Sequence, residues 1–415
     1  MDFQLKKMSL STQTIEVLQY ASIPLISGFI GWFTNWVAIW MTFNPIEFFG
    51  IKKIYLGWQG IIPAKSPKMA GLTVDMLMSK LIDVDALFKQ LNPQQVRKIM
   101  EPALQKTTEN IIHQLMREEA PGIWERLPHN IKKQLYDRVE RELPGVIEEM
   151  FKDIQNNIHD LLDFKRMVMD ALLKDKKLMN EIFLRCGKDE FRFIERSGWY
   201  FGMLFGLVQM VVWYFYKGNW VLPFFGILVG YATNWLALKL IFEPAHPRKF
   251  FFWNIQGLFV KRQPEVSDEY GKIMANQVLN SKNVFEALLN GPTSYKLLDV
   301  IERNIHVAID SSLGNIKPFV TLSLGTKKYL QLKGGIIRIF VKELPDSIKS
   351  VENYVDETFD LENSISNKLR SLPPDEFVGV LRPVFQEDEW ILILVGAVLG
   401  GVAGLIQLIL VFGIS

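Results

Sequence analysis

Four runs of this chain extend for roughly 20 residues with almost no charge, and no other feature restricts its fold so sharply. In hydrocarbon every backbone N–H and C=O must find its partner inside the protein, so runs of this length and composition are predicted to be membrane-crossing helices. They cover residues 17–43, 199–216, 220–242 and 390–413. Lys239 is the one basic residue inside them, close enough to an end to snorkel, and tryptophan opens three of them (Trp199, Trp220, Trp390), as interfacial anchoring favours. Lys6 and Lys7 precede the first run as they would in a secretion signal. Its apolar stretch is too long for one and no small-x-small cleavage site follows, so residues 1–16 are read as a tail and 17–43 as a retained helix.

Two long, mostly polar segments, 44–198 and 243–389, alternate with these spans, and only a tight turn at 217–219 joins the second span to the third. Both segments are therefore expected on one side of the membrane. Basic residues near the spans favour that side: Lys52, Lys53, Arg185, Lys188, Arg192, Arg196, Arg248, Lys249, Lys261, Arg262 and Arg382, against Lys6, Lys7 and Lys217. By the positive-inside rule it is the cytoplasm. The chain as a whole is mixed in character, with 49% hydrophobic and 22% charged residues. Its 47 basic and 45 acidic residues leave a net charge of +2, which provides no field to attract nucleic acid. The single cysteine, Cys186, excludes an internal disulfide framework and reads as a packing residue.

The chain also repeats itself. Gly31, Thr34, Asn35, Trp36, Ala38, Phe43 and Pro45 recur 199 positions later as Gly230, Thr233, Asn234, Trp235, Ala237, Phe242 and Pro244. Gln59, Gly60, Lys65 and Pro67 return as Gln256, Gly257, Arg262 and Pro264, a shift of 197, and Glu142-Leu143-Pro144 returns as Glu343-Leu344-Pro345. Gly202, Gly206, Leu207 and Gln209 match Gly400, Gly404, Leu405 and Gln407 at a shift of 198. The expected fold is an all-α membrane protein with about four transmembrane helices from a parallel tandem duplication, each unit running span, helical extramembrane domain, span.

Small residues fall at steps of three and four on the spans: Ser27, Gly31, Thr34 and Ala38; Gly226, Gly230, Thr233 and Ala237; Gly396, Gly400 and Gly404. Such faces let helix backbones approach closely. Asn35, Asn234, Gln209 and Gln407 each place an amide inside a span, where pairing between helices would contribute about 0.6 to 2 kcal/mol each. Gly31, Thr34, Asn35, Gly230, Thr233, Asn234, Gly206, Gln209, Gly404 and Gln407 thus form either packing glue or a polar membrane site.

Outside the spans, Val96, Ile99, Met100, Ala103, Leu104, Ile111, Ile112, Leu115 and Met116 keep to one helical stripe. Further stripes are predicted from Ile131 to Leu143 and from Val146 to Leu162, separated at Pro144-Gly145, and through Leu297, Val300, Ile301, Ile305, Ala308 and Ile309. These stripes can pack on one another and on their counterparts in the other half, or lie on lipid and enclose acyl chains. In the juxtamembrane elements, Lys65 and Arg262 are candidate lipid-headgroup contacts, with a structural turn as the alternative.

Catalytic signatures are missing from the sequence. His113, His129, His159, His246 and His306 are scattered without metal-pair spacing, and there is no phosphate loop or nucleophile elbow. Glu118-Glu119 and Glu387-Asp388-Glu389 read as solvated acidic surface. No catalytic residue, metal or cofactor is expected.

The duplicated Gly-x2-Thr-Asn-Trp-x-Ala elements at Gly31 and Gly230, with Phe193-Ile194-Glu195-Arg196-Ser197-Gly198-Trp199-Tyr200-Phe201-Gly202 leading into Gln209, resemble domain-of-unknown-function family 445, the YheB-like bacterial membrane proteins. The resemblance runs over nearly the whole chain and implies a multi-pass protein of the bacterial plasma membrane, without an activity, catalytic residue or cofactor to carry over. The expected function is a non-enzymatic membrane scaffold whose partners are membrane lipid and either a second copy or a cytoplasmic protein. The rival is an oligomeric transporter or channel with a pathway along the amide-bearing spans.

Overall fold

The computed structural model describes the chain except for residues 1, 52–55, 120, 127, 251–252, 314–316, 380–388 and 413–415. Lys52, Lys53, Arg382, Glu387 and Asp388 therefore lie outside the described residues. Eight helices carry the architecture: α1 (Asp2–Phe43), α2 (Pro93–Glu119), α3 (His129–Asn156), α4 (Lys188–Phe215), α5 (Val221–Phe242), α6 (Ser294–Leu313), α7 (Thr326–Ile348) and α8 (Glu389–Phe412). Two short antiparallel hairpins accompany them, β1 (Phe49–Ile51) with β2 (Leu56–Trp58) and β3 (Arg248–Phe250) with β4 (Trp253–Ile255). The protein is an all-α membrane protein, and α1, α4, α5 and α8 contain four stretches long and apolar enough to cross a bilayer.

Each membrane helix follows from its sequence with one adjustment. The helix of the second span begins at Lys188, eleven residues before the apolar run that opens at Trp199. Hydropathy marks the part of a helix that meets lipid, whereas hydrogen bonding continues through its charged first turns. Likewise α1 starts at Asp2 and includes the segment read as a tail.

The chain divides into two compact units. One joins residues 1–76, 172–270 and 366–415; the other joins 77–171 with 271–365. The long segments 44–198 and 243–389 were each expected to form a domain. Instead their central parts combine into a single helical unit, and their flanks belong with the spans. The reason lies in the stripes. The apolar face of α2 packs against α3 from its own half and α7 from the other, and α6 packs on both α3 and α7. A stripe about a third of a helix wide needs more than one neighbour to cover it, and here the cover comes from both halves. Val96, Met100, Leu115, Leu297, Val300, Ile301 and Ile305 are buried as their spacing requires.

Pro144 was expected to separate two helical stripes, and it does not end its helix. Pro102, Pro144 and Pro345 lie inside α2, α3 and α7. An interior proline forfeits one backbone hydrogen bond and costs about 3 kcal/mol. In α3 apolar burial continues past it, with Ile147 and Met150 buried in the turns that follow Pro144.

Among the described residues the helical unit buries much of its apolar surface. A wholly apolar cavity of about 60 Å³ remains, bordered by Phe88, Met100, Ile147, Leu288, Leu297 and Leu344 among others. It is smaller than the roughly 150 Å³ that admits a benzene ring, so this cavity has no room for an acyl chain.

Candidate functional site

In the membrane unit α1 runs antiparallel to α4, and α5 to α8, with glycine at each closest approach. A Cβ on Gly31 would collide with the carbonyl of Gly198, and one on Gly198 with that of Gly31. Gly230 and Gly396 stand in the same relation in the second pair, while Gly206 lies against Pro24 and Ser27, and Gly404 against Leu222 and Pro223. Backbones in van der Waals contact gain dispersion energy that lipid tails cannot match, which holds the pairs together where no hydrophobic force acts. Ile23, Trp213, Val221, Leu222 and Leu408 form one buried cluster drawn from all four helices.

The amides serve these contacts. Asn35 donates through Nδ2 to the carbonyl of Ile194 at 2.6 Å, and Asn234 to that of Leu392 at 2.7 Å. Each bond crosses between the helices of one pair. The amides therefore reach backbone oxygens, not one another. Thr34 and Thr233 turn their hydroxyls back to Gly31 and to Val229, at 3.2 and 2.8 Å. Gln209 accepts from the Ser27 hydroxyl at 2.8 Å. Its counterpart Gln407 is equally buried, yet neither end of its amide has a partner among the described residues. The position 199 residues after Ser27 is Gly226, which has no hydroxyl to give.

Below these contacts α1, α4, α5 and α8 surround a mostly apolar cavity of about 50 Å³, bordered by Ala38, Thr42, Glu190, Ile194, Asn234 and Leu392 among others. That volume admits a few water-sized groups. Asn234 Oδ1 accepts no hydrogen bond among the described residues, so the cavity has one unsatisfied acceptor on its border.

Arg262 does not serve as a free headgroup contact. Its Nη1 makes a forked pair with both carboxylate oxygens of Glu190, at 2.8 and 2.9 Å, and its Nη2 reaches Asp189 at 3.0 Å. Glu190 is only 3% exposed, so its charge depends on this guanidinium. Lys65 is half-buried at the end of the short helix Ile61–Ala64, and it too has a partner. The turn-fastening alternative fits Arg262, whose partners lie at the start of α4. An ion pair between residues 72 positions apart leaves no local trace in a sequence. Cys186, next to this region, is 1% exposed, and burial pushes its thiol up to about 12.

The arrangement defines a membrane protein whose polar groups in the spans tie helix to helix. No family model matches the chain, and no solved structure does. A UPF0754 membrane protein from Synechococcus sp. is 31% identical to it over 65 residues, 15% of this chain. The matched stretch spans 16% of that relative and agrees with the membrane class at that coarse level.

Proposed function

We propose that the chain is a non-enzymatic, lipid-interacting scaffold of the bacterial plasma membrane, related to the YheB-like family 445 and built by tandem duplication. Its helical domain faces the cytoplasm, where a second copy or a cytoplasmic protein binds. The observation that carries this reading is the use of Asn35, Asn234 and Gln209 between helices whose backbones already touch. Polar groups spent in this way support packing over conduction. A second reading, an oligomeric transporter or channel, is favoured by the unsatisfied Asn234 oxygen bordering the cavity.

Asn35→Leu and Asn234→Leu in proteoliposomes separate the two. The scaffold reading expects weakened assembly and no solute flux from either wild type or variants. A wild-type flux that disappears in a variant of unchanged stability would establish the pathway instead.

A further inference from the structure

We propose that the two hairpins at the ends of α1 and α5 are membrane-interface anchors that take anionic lipid. This assigns a lipid-contact site within the lipid-interacting reading given above. The register of the first hairpin pairs Phe49 with Trp58, Gly50 with Gly57 and Ile51 with Leu56. Directly opposed residues share a face, so one face carries Phe49, Ile51, Leu56 and Trp58, and the other carries only glycine. Gly50 has φ +143°, and a side chain there would run into the backbone of Leu56 and Gly57. The strands lie flat together because both are glycine.

The apolar face is not covered by the protein. Phe49 is 79% exposed, Ile51 56% and Leu56 66%. Two-stranded hairpins of this size are marginal in water on their own, and an exposed apolar edge invites aggregation. This one is fastened to the end of a membrane helix. Trp58 donates its indole N–H to the carbonyls of Met41 and Asn44, both at 3.2 Å, occupying oxygens that the end of α1 leaves free. Gln59 donates to Ile46 and Gly60 to Pro45. The apolar face is therefore tethered within a few residues of the point where the chain leaves the span, beside the one apolar phase at hand.

The second hairpin occupies the matching place after α5. Gln256 donates to Ala245, and Gly257 to Pro244. Its register pairs Lys249 with Asn254 and Phe250 with Trp253, and Arg248 and Lys249 are exposed. Basic groups at an aromatic-rich interface complement anionic headgroups. Lipid is thus favoured over a second copy of the chain as the occupant.

Single cysteines at Phe49→Cys, Asn254→Cys and Tyr231→Cys, each labelled with a fluorophore, test this in the full-length protein in nanodiscs of phosphatidylcholine and phosphatidylglycerol. The inert, buried Cys186 leaves wild type as the blank. The label at Phe49 is expected to be quenched by a nitroxide high on the acyl chain and shielded from aqueous iodide, and the label at Tyr231, half-exposed in mid-span, by a deep nitroxide. At Asn254, nitroxide-labelled phosphatidylglycerol should quench more than labelled phosphatidylcholine. Arg248→Gln or Lys249→Gln should reduce that preference by about fivefold each. Iodide access at Phe49 with no nitroxide effect, while Tyr231 responds, would overturn the anchors and leave the spans standing. Silence at Tyr231 as well would remove the membrane reading itself. An unchanged lipid preference in both glutamine variants would overturn the anionic assignment.

Discussion

Replacing Arg262 distinguishes a structural ion pair from a lipid contact by magnitude. Arg262→Ala removes the Nη1 that bonds both Oε1 and Oε2 of Glu190 and leaves a carboxylate that is 3% exposed without its counter-charge. Breaking one side of a buried pair costs about 3–5 kcal/mol. The second contact, to Asp189, adds little because that carboxylate is 52% exposed, and exposed pairs contribute about 0–1 kcal/mol. Removing the carboxylate charge as well, in Glu190→Gln with Arg262→Ala, should restore most of the loss, since the desolvation of two charges disappears along with their attraction. The measurement is chemical unfolding of the purified protein in a neutral detergent, with the two single variants and the double closing a thermodynamic cycle. A loss below about 0.5 kcal/mol for Arg262→Ala, or a loss present only in anionic lipid, would refute the reasoning and return Arg262 to the headgroups.

The two glutamines should behave oppositely. Gln407→Met removes an unpartnered buried amide and is expected to be neutral or stabilising by about 1 kcal/mol, whereas Gln209→Met deprives Ser27 of its acceptor and costs about 0.6–1.7 kcal/mol, both read from thermal unfolding in detergent. Gly198→Ala forces its methyl onto the Gly31 carbonyl and should separate the α1–α4 pair, while Gly71→Ala, with nothing within 4 Å of the new carbon, should gain about 0.5–1 kcal/mol of helix propensity. In the helical unit Asp310 accepts from Lys333, Tyr329 and Lys317, which together hold its carboxyl well below the usual range, Lys317 most of all. That contribution is complete above about pH 4 and lost as the pH falls further. Burial, and then Asp310, raises Tyr329 to about 12. Its contribution is complete below about pH 10 and lost as the pH rises through 12, so unfolding midpoints should be level at neutral pH and fall at both extremes. Asp310→Asn should cost about 3 kcal/mol by stranding Lys333, and adding Lys333→Met should recover most of it.

What the sequence made legible was whatever depends on local composition. Charge-free length located the spans, and glycine spacing identified the faces that meet. The acceptors of Asn35 and Asn234 were not legible, because a backbone carbonyl looks the same at every position. Arg262 read equally as a headgroup contact or a turn fastener because its partner lies on another helix, 72 residues away. Pro144 read as a helix end because propensity is local, whereas the burial of Ile147 and Met150 is tertiary. The hairpins escaped notice since three-residue strands are too short for alternation to register. Their signal was present all the same, in aromatic and basic residues placed between the repeated Pro and Gln-Gly elements.

The helix pairing imposes an order on synthesis. Asn35 finds its acceptor 159 residues later in the chain, and Asn234 waits 158 for its own. At roughly 5–20 residues per second, the first helix stays in the bilayer for roughly ten to thirty seconds before its mate emerges. During that time its glycine face and free carboxamide are open to lipid, to the insertion machinery, or to any other helix with a complementary groove. The second pair repeats the exposure, with α4 already present as a neighbour. A cell making this protein must therefore shelter a half-built helix pair twice in every copy.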